Sequence, residues 1–474
     1  MPIPRKVLLI NPPGTRRVYL ETNVRAGTPI LPPLGLAAIA GALAQDGHDV
    51  RVLDLDLADV CGEPESILLA GELASFAPDI AGLTSITPTW HDAIRIAKDI
   101  KEMRPETSVV FGGLHATLFP EETLASGAVD LVIRGEADFA LNELIRTGSP
   151  KDVPGAVSLT NGKPDYSAPR DVVEDLDTLP FPAWEKFETN RYRMSHLTER
   201  LRPGGFIETS RGCPFGCIYC DKTIFGRRFR AKSPERVVSE IEAMLRLHKF
   251  RELHIVDDGF TTDLNRAKEI CRLIVSRGLK FNFNLFNGVR ADRLDDELCG
   301  LLKRAGCWQV AFGVESGNER VLESVSKGLS KDSIRRAVGL CKKHGLETFG
   351  FFMIGFPEDT AKTVLETINF AVELDMTISK YDIAVPLPGT PMFETLDRKG
   401  LIKTRDWSQY IFHQTKTPLF EHPNLTWDKI DALYYLAYRK TYLRPGYIMK
   451  RFVHGLRTRG LWHNVVYFFK SRWR

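Results

Sequence analysis

At 474 residues the chain is too long for one small binding module and has room for two or three cores. With 43% hydrophobic and 26% charged residues, 37 Gly and 28 Pro, it has ordinary globular usage, which excludes a disordered, collagen-like or multispanning membrane chain. The net charge of +4 argues for no nucleic-acid partner, yet it is unevenly spread: after Asp431 there are ten basic residues and no acidic one, which leaves the rest of the chain net acidic.

The chain opens on MPIPRKVLLINPP, charges and a strand-like run without a cleavable apolar region, and no stretch reaches the length of a membrane span, so a cytoplasmic protein is expected. Residues 5–10 read as a strand and 34–45 as a helix. The alternation recurs through strands at 50–56, 79–85, 108–113 and 130–136, with helices near 65–76, 90–103 and 120–126. Residues 1–150 therefore predict an α/β, Rossmann-like doubly wound parallel sheet, with ligands in the loops 11–33, 84–89 and 112–119 beyond the strands' carboxyl ends. Residues 151–205, rich in Pro, Gly and Asp, read as a linker. From 206 to 395 the runs FIETS, ELHIVDD, FNFNLFN, QVAFGVES, TFGFFMIG and KYDIAVPL alternate with helices, a pattern that predicts a partial (β/α)6 barrel with its chemistry at the C-terminal strand ends. Residues 396–474 read as a helical, basic, aromatic-rich segment that Pro445, Gly446, Gly455 and Gly460 should cut into short pieces.

Cys213, Cys217 and Cys220 stand on one glycine-rich loop just after the first barrel strand. Three thiolates so placed can hold three corners of a 4Fe-4S cluster and leave one iron open to a small-molecule ligand. Zinc is the alternative, but its sites favour paired Cys-x-x-Cys units, and no second pair follows. The remaining cysteines, Cys61, Cys271, Cys299, Cys307 and Cys341, read as buried inert thiols.

The run GCPFGCIYC resembles the signature of the radical S-adenosylmethionine superfamily, with Tyr219 in its aromatic position. The resemblance implies that Asp257 or Asp258 meets the amino group of S-adenosylmethionine in place of a Gly-Gly-Glu-like motif, and that Arg290 meets the methionine carboxylate. It further implies Glu315 and Ser316 against ribose or amino-acid groups, and Ile354, Gly355 and Pro357 against adenine. Taken singly, an acid at a strand end is as readily a helix N-cap.

Ahead of this barrel, NPPG, PPLGLAAIAGAL, GLTSITPT and FGGLHAT stand in the order of the cobalamin-binding domain of the cobalamin-dependent subclass. No histidine precedes His48, so the implied mode is cobalamin without a protein histidine on cobalt, its nucleotide tail extended into the sheet. Thr84, Ser85 and Thr87 would bond the tail, and Gly112 with Gly113 would let the backbone approach it. His115 either faces the corrin or is an ordinary loop histidine. A nucleotide-binding or merely structural Rossmann-like domain is the alternative, though no G-x-G-x-x-G fingerprint appears.

The resemblance implies reductive cleavage of S-adenosylmethionine to methionine and a deoxyadenosyl radical, hydrogen abstraction from an unactivated carbon, and methyl transfer from cobalamin. The expectation is a C-methyltransferase. The alternatives are a radical oxidative cyclase resembling the anaerobic magnesium-protoporphyrin monomethyl ester cyclase, and a non-catalytic cobalamin- or redox-binding protein. Expected partners are a small-molecule or lipid-like substrate, an electron donor such as flavodoxin or ferredoxin, and an anionic membrane surface under the C-terminal tail. No nucleic acid is expected.

Overall fold

The computed structural model describes residues 4–16, 18, 29–195, 197–413 and 418–458. In the first sheet β1 (Lys6–Asn11), β2 (Asp49–Asp54), β3 (Ile80–Thr84), β4 (Ser108–Gly112) and β5 (Leu131–Ile133) run parallel in the order 2-1-3-4-5. β1, β3, β4 and β5 are buried through most of their length because helices cover both faces, while β2 at the sheet's edge exposes Asp49 and Arg51. The order reverses between β1 and β3, the switch point at which such sheets bind ligands. The strand expected to reach residue 56 stops at Asp54. Its carboxylate accepts the amides of Asp56 and Leu57, both at 3.1 Å, and so caps the helix Leu55–Cys61. Cys61 at that helix's end is exposed, against expectation, while Cys271, Cys299, Cys307 and Cys341 are buried.

Within the stretch read as a linker, β6 (Ala156–Thr160) and β7 (Lys163–Tyr166) extend the first sheet as an antiparallel hairpin. Its turn is Asn161-Gly162, both at positive φ, the strongest short hairpin signal a sequence carries.

The second sheet is entirely parallel. It begins with β8 (Gly204–Ile207), after which a two-residue ribbon of β9 (Ser210–Arg211) and β10 (Arg230–Ala231) brackets the cysteine loop. Then follow β11 (Glu252–Ile255), β12 (Asn282–Val289), β13 (Cys307–Glu315), β14 (Glu347–Ile354) and β15 (Ile378–Ile383), in the spatial order 8-11-12-13-14-15. This is the open six-stranded barrel.

Its exposed edge is closed by side chains. From the helix Trp427–Tyr442, the Tyr438 hydroxyl accepts the Tyr381 amide (3.2 Å) and donates to the Tyr381 carbonyl (3.1 Å), and Tyr442 does the same for Ser379 (3.0 and 2.7 Å). Tyr447 donates to the Thr377 carbonyl at 2.9 Å. Four residues of helix advance about 6 Å and two residues of strand about 6.6 Å, so an i, i+4 pair of tyrosines matches an i, i+2 pair of backbone groups. The ladder does what a seventh strand would do for an edge.

The helix Pro445–Thr458 runs through Gly446 and Gly455, so the expected break occurs only before Pro445, whose missing N–H is no loss at a helix's first position. Gly460 and the rest of the tail lie outside the described residues. Among the described residues no helix is long and apolar enough to cross a membrane.

Candidate active site

A cavity of about 430 Å³ opens at the carboxyl ends of the barrel strands, and Cys213, Cys217, Cys220, Asp258, Arg290 and Glu315 all line it. The cysteine loop departs through Gly212 at φ +79°, where a Cβ would stand 2.2 Å from the Arg228 carbonyl oxygen, so only glycine fits. Of the two aspartates, Asp257 is buried and accepts from the Thr209 amide (2.6 Å) and the Thr209 and Ser210 hydroxyls (both 2.5 Å), bracing the end of β8. Asp258 is the one that reaches the cavity.

Two strand ends and the cysteine loop converge on a turn that sequence reading did not single out. Lys327, between Ser326 and Gly328 at positive φ, sends its ammonium to Glu315 at 2.8 Å and to the Tyr219 hydroxyl at 3.3 Å. The carbonyls of Lys327 and Gly328 accept from Arg290 at 2.7 and 3.1 Å, and the Arg290 guanidinium lies 3.6 Å from the Phe215 ring centre. Glu315 itself has φ +64°, a strained backbone for a glutamate and one that clusters at functional sites. A lysine in a polar loop carries no sequence signal of such a role.

The other proposed contacts fall elsewhere. Ser316 is buried, its hydroxyl 3.0 Å from that of Thr367. Ile354 is fully buried, Gly355 donates its amide to Asp359 (3.0 Å), and Pro357 offers its carbonyl to Asn424 (3.1 Å). None of the four lines the cavity. Neighbouring strand residues point to opposite faces, so β14 presents Phe351 and Met353 to the cavity and turns Ile354 away. Across the cavity stands Asp382, also missed, with the buried His413 Nδ1 at 2.8 Å and Lys380 at 3.5 Å. Burial opposes its charge, but Lys380 and His413 outweigh it and hold the carboxyl below its usual range.

A second cavity, of about 170 Å³, lies in the first domain between the helix Leu34–Gln45 and the carboxyl ends of β3, β4 and β5. Thr84, Gly112 and Gly113 line it as expected, together with Gly82, where a Cβ would press on Leu9 at 2.9 Å. Gly113, at φ +88°, has Thr84 Oγ1 2.7 Å from where a Cβ would be. Ser85 and Thr87 are buried just behind the wall. The Ser85 hydroxyl has no hydrogen-bond partner among the described residues, but Ser85 does not line the cavity. The far wall comes from the barrel, through Arg211, Ile224 and Phe225.

Residues 207–371 match the family model for the Radical SAM superfamily, and residues 23–145 match the B12 binding domain. An uncharacterized methyltransferase of Pyrococcus horikoshii, PH0819, is 33% identical over 471 residues, spanning 95% of this chain and 98% of its own. The chain belongs to the cobalamin-dependent radical S-adenosylmethionine enzymes. The enzyme is also 27% identical to the anaerobic magnesium-protoporphyrin IX monomethyl ester cyclase of Rubrivivax gelatinosus, over 84% of this chain and 72% of that one. Its fold is that of the radical enzyme OxsB, solved with aqua-cobalamin and S-adenosylmethionine bound, at a TM-score of 0.74 and 17% identity over 98% of this chain and 72% of that one.

The family's cofactors are a 4Fe-4S cluster, S-adenosylmethionine and cobalamin, and the two cavities of the enzyme fit them. Three thiols lining one cavity from a single loop suit the cluster, and the neighbouring carboxylates and cations suit a zwitterionic ligand. The slot walled by Gly82, Gly112 and Gly113 suits a nucleotide tail.

His115 lines neither cavity and is not an ordinary loop histidine, since it sits in the short helix Leu114–Leu118. It is fully buried, with ring centres of Phe119 at 4.9 Å, Trp90 at 5.1 Å and Trp407 at 5.5 Å. Burial, with a smaller push from His91, lowers its pKa to about 3, so the imidazole is neutral. Because Trp407 comes from the C-terminal segment and donates to Glu122 of the first domain at 3.1 Å, this aromatic box joins the two.

Proposed function

We propose that the enzyme transfers a methyl group to an unactivated carbon of a small-molecule substrate. The observation that carries this reading is that the two cavities share the cysteine loop, its thiols facing one and Ile224 with Phe225 facing the other. Bound there, the cluster, S-adenosylmethionine and cobalamin would supply the radical and the methyl group. The chain's own share is placement. Cys213, Cys217 and Cys220 hold three irons, and Asp258 accepts from the amino group of S-adenosylmethionine. Arg290 has four of its five N–H groups engaged by Asp292 and the turn carbonyls, which leaves one for the methionine carboxylate. Glu315, held by Lys327, accepts from the ribose. In the first domain Thr84, Gly112 and Gly113 cradle the nucleotide tail, with Ser85 and Thr87 behind them.

Phe351, Met353, Leu387 and Phe412 form an apolar wall opposite the cysteines, which suits a substrate with a hydrocarbon face, and Asp382 supplies one polar anchor. A flavodoxin or ferredoxin serves as the one-electron donor in this reading. The test is an anaerobic incubation of reduced enzyme with S-adenosylmethionine and candidate substrates. Formation of 5′-deoxyadenosine together with a product heavier by about 14 mass units supports methylation. Deoxyadenosine with a product that has lost hydrogen and gained no carbon supports the cyclase alternative, and no deoxyadenosine at all supports a non-catalytic binding protein.

The C-terminal helix supports contact with an anionic membrane. Ile448, Met449, Phe452, Val453 and Leu456 form an exposed apolar stripe, the reverse of an ordinary surface helix, and no acidic residue follows Asp431. The ten basic residues after Asp431 supply the attraction, Lys450 and Arg444 pairing with Asp375 as well. In flotation assays the full chain should rise with anionic vesicles and stay down with neutral ones, and M449E/F452E should stay down with both. Equal recovery of wild type and variant on anionic vesicles would sink the reading.

A further inference from the structure

We propose that the loop holding the iron–sulfur cluster is also the lid of the cobalamin-tail cavity, with Phe225 as its positioning residue, so that loading either cofactor tightens binding of the other. This rests on the cofactor sites assigned above.

The loop leaves through β9 and returns through β10, where Arg211 and Arg230 are register partners. Both stems are fastened to the first domain. Arg211 grips Asp138 with two bonds of 2.8 and 2.9 Å, reaches Glu136 at 3.3 Å, and pairs with Glu208 at 2.7 Å. Arg230 donates to the same Glu136 at 3.1 Å. These arginines and their first-domain partners Glu136 and Asp138 are buried, and Glu136, Asp138 and Arg211 line the tail cavity themselves.

Between the stems the loop has two working faces. Its first half carries the three cysteines toward the barrel cavity, and its second half carries Ile224 and Phe225 into the wall of the tail cavity, with the Phe225 ring centre 5.2 Å from the Arg211 guanidinium. The halves are in contact. Gly212, next to Cys213, lies under the backbone of residues 225–228, where an added Cβ would be 3.1 Å from the Phe225 oxygen and 2.2 Å from that of Arg228. A cluster drawing the three thiols to one point therefore fixes where Phe225 sits, and a tail seated against Phe225 restrains the thiols.

The middle of the loop is tied to the barrel, Ile218 donating to the Val325 carbonyl at 3.1 Å and accepting from the Met392 amide at 2.9 Å, but the three thiols are only partly buried, so a cluster adds a restraint on residues 213–220 that these bonds and the stems do not supply. Whichever cofactor arrives first bears the cost of ordering it, and the second meets a wall already in place. Linkage makes the effect reciprocal, and a coupling in the usual range makes it about tenfold.

The test measures hydroxocobalamin dissociation constants anaerobically by equilibrium dialysis, on the full-length protein with its cluster reconstituted and after iron removal. Binding should weaken about tenfold without the cluster. In the reciprocal arm, iron should pass to a chelator more slowly when cobalamin is present. Phe225→Ala should keep its iron and sulfide yet bind cobalamin more weakly, with little difference between its two cluster states, while Phe225→Leu restores part of the coupling. Circular dichroism and melting temperature establish that both variants fold. Equal dissociation constants in the two cluster states of wild type would overturn the coupling and leave the cobalamin site standing. No cobalamin binding in either state would overturn the site assignment, and the coupling with it.

Discussion

Replacing Cys213, Cys217 and Cys220 together with Ala should give a folded protein with no bound iron or sulfide, no absorption near about 400 nm, and no deoxyadenosine above background. The fold should survive because the three thiols sit on a loop outside both sheets and are only partly buried, so their loss opens no core cavity. Stability is supplied elsewhere, by the fully buried faces of the parallel strands. Single substitutions should lose the cluster nearly as completely, since two thiolates hold only two corners. Iron and sulfide analysis with circular dichroism decides the matter, and full iron and sulfide in the triple variant would show that these cysteines are not the ligands.

Acidification from pH 7 to pH 5 should cost about 2 kcal/mol of folding stability through His115 alone. In the folded enzyme burial holds its pKa at about 3, against an ordinary value of 6.5. Below pH 6.5 the unfolded chain therefore binds a proton that the folded chain refuses. The contribution is fully present above pH 6.5 and is lost progressively as the pH falls toward 3. At pH 5 it is already a thirtyfold change, roughly, in the folding equilibrium. The ring cannot be rescued by its nearest carboxylate, because Glu122 stands 4.0 Å away and already accepts from Trp407. His115→Phe keeps an aromatic ring among Trp90, Phe119 and Trp407 and removes the titrating group, so urea titrations at pH 7 and pH 5 should show this part of the slope disappear. A pH dependence identical in wild type and variant would mean that His115 is protonated in the folded state. Since the box joins the first domain to the C-terminal segment, that segment should loosen first on acidification.

The elements that could be read before folding are those encoded within a few residues. Helical repeats with a capping residue in place, such as Ser233 before Pro234–Leu247, Asp263 before Leu264–Ser276 and Thr360 before Ala361–Leu374, are complete local statements. So is the spacing of Cys213, Cys217 and Cys220, because one short loop must bring all three thiols together whatever surrounds it. Asn161-Gly162 was equally local and marks β6 and β7 inside a stretch whose composition alone read as a linker. Gly446 and Gly455 show the opposite, since a helix packed through Tyr447 onto the barrel edge tolerates two glycines that propensity counts against.

What only the tertiary structure decided is which side chain at each strand end meets the cavity. That choice turns on parity, and parity is reset by register slips whose size only the strand pairing fixes, even where a glycine such as Gly288 marks the place. The register of β12 against β13 slips between Leu285 and Val289, and that of β13 against β14 slips between Gly313 and Glu315, just where Arg290 and Glu315 emerge. Asp258 over Asp257 and Met353 over Ile354 follow from the same one-residue alternation. Lys327 and Asp382 gain their positions from partners 12 and 31 residues away, and the tyrosine ladder from partners more than 50 residues away. A sequence specifies its elements through neighbours along the chain, whereas a site is made by neighbours in space, and those exist only once the sheets have closed.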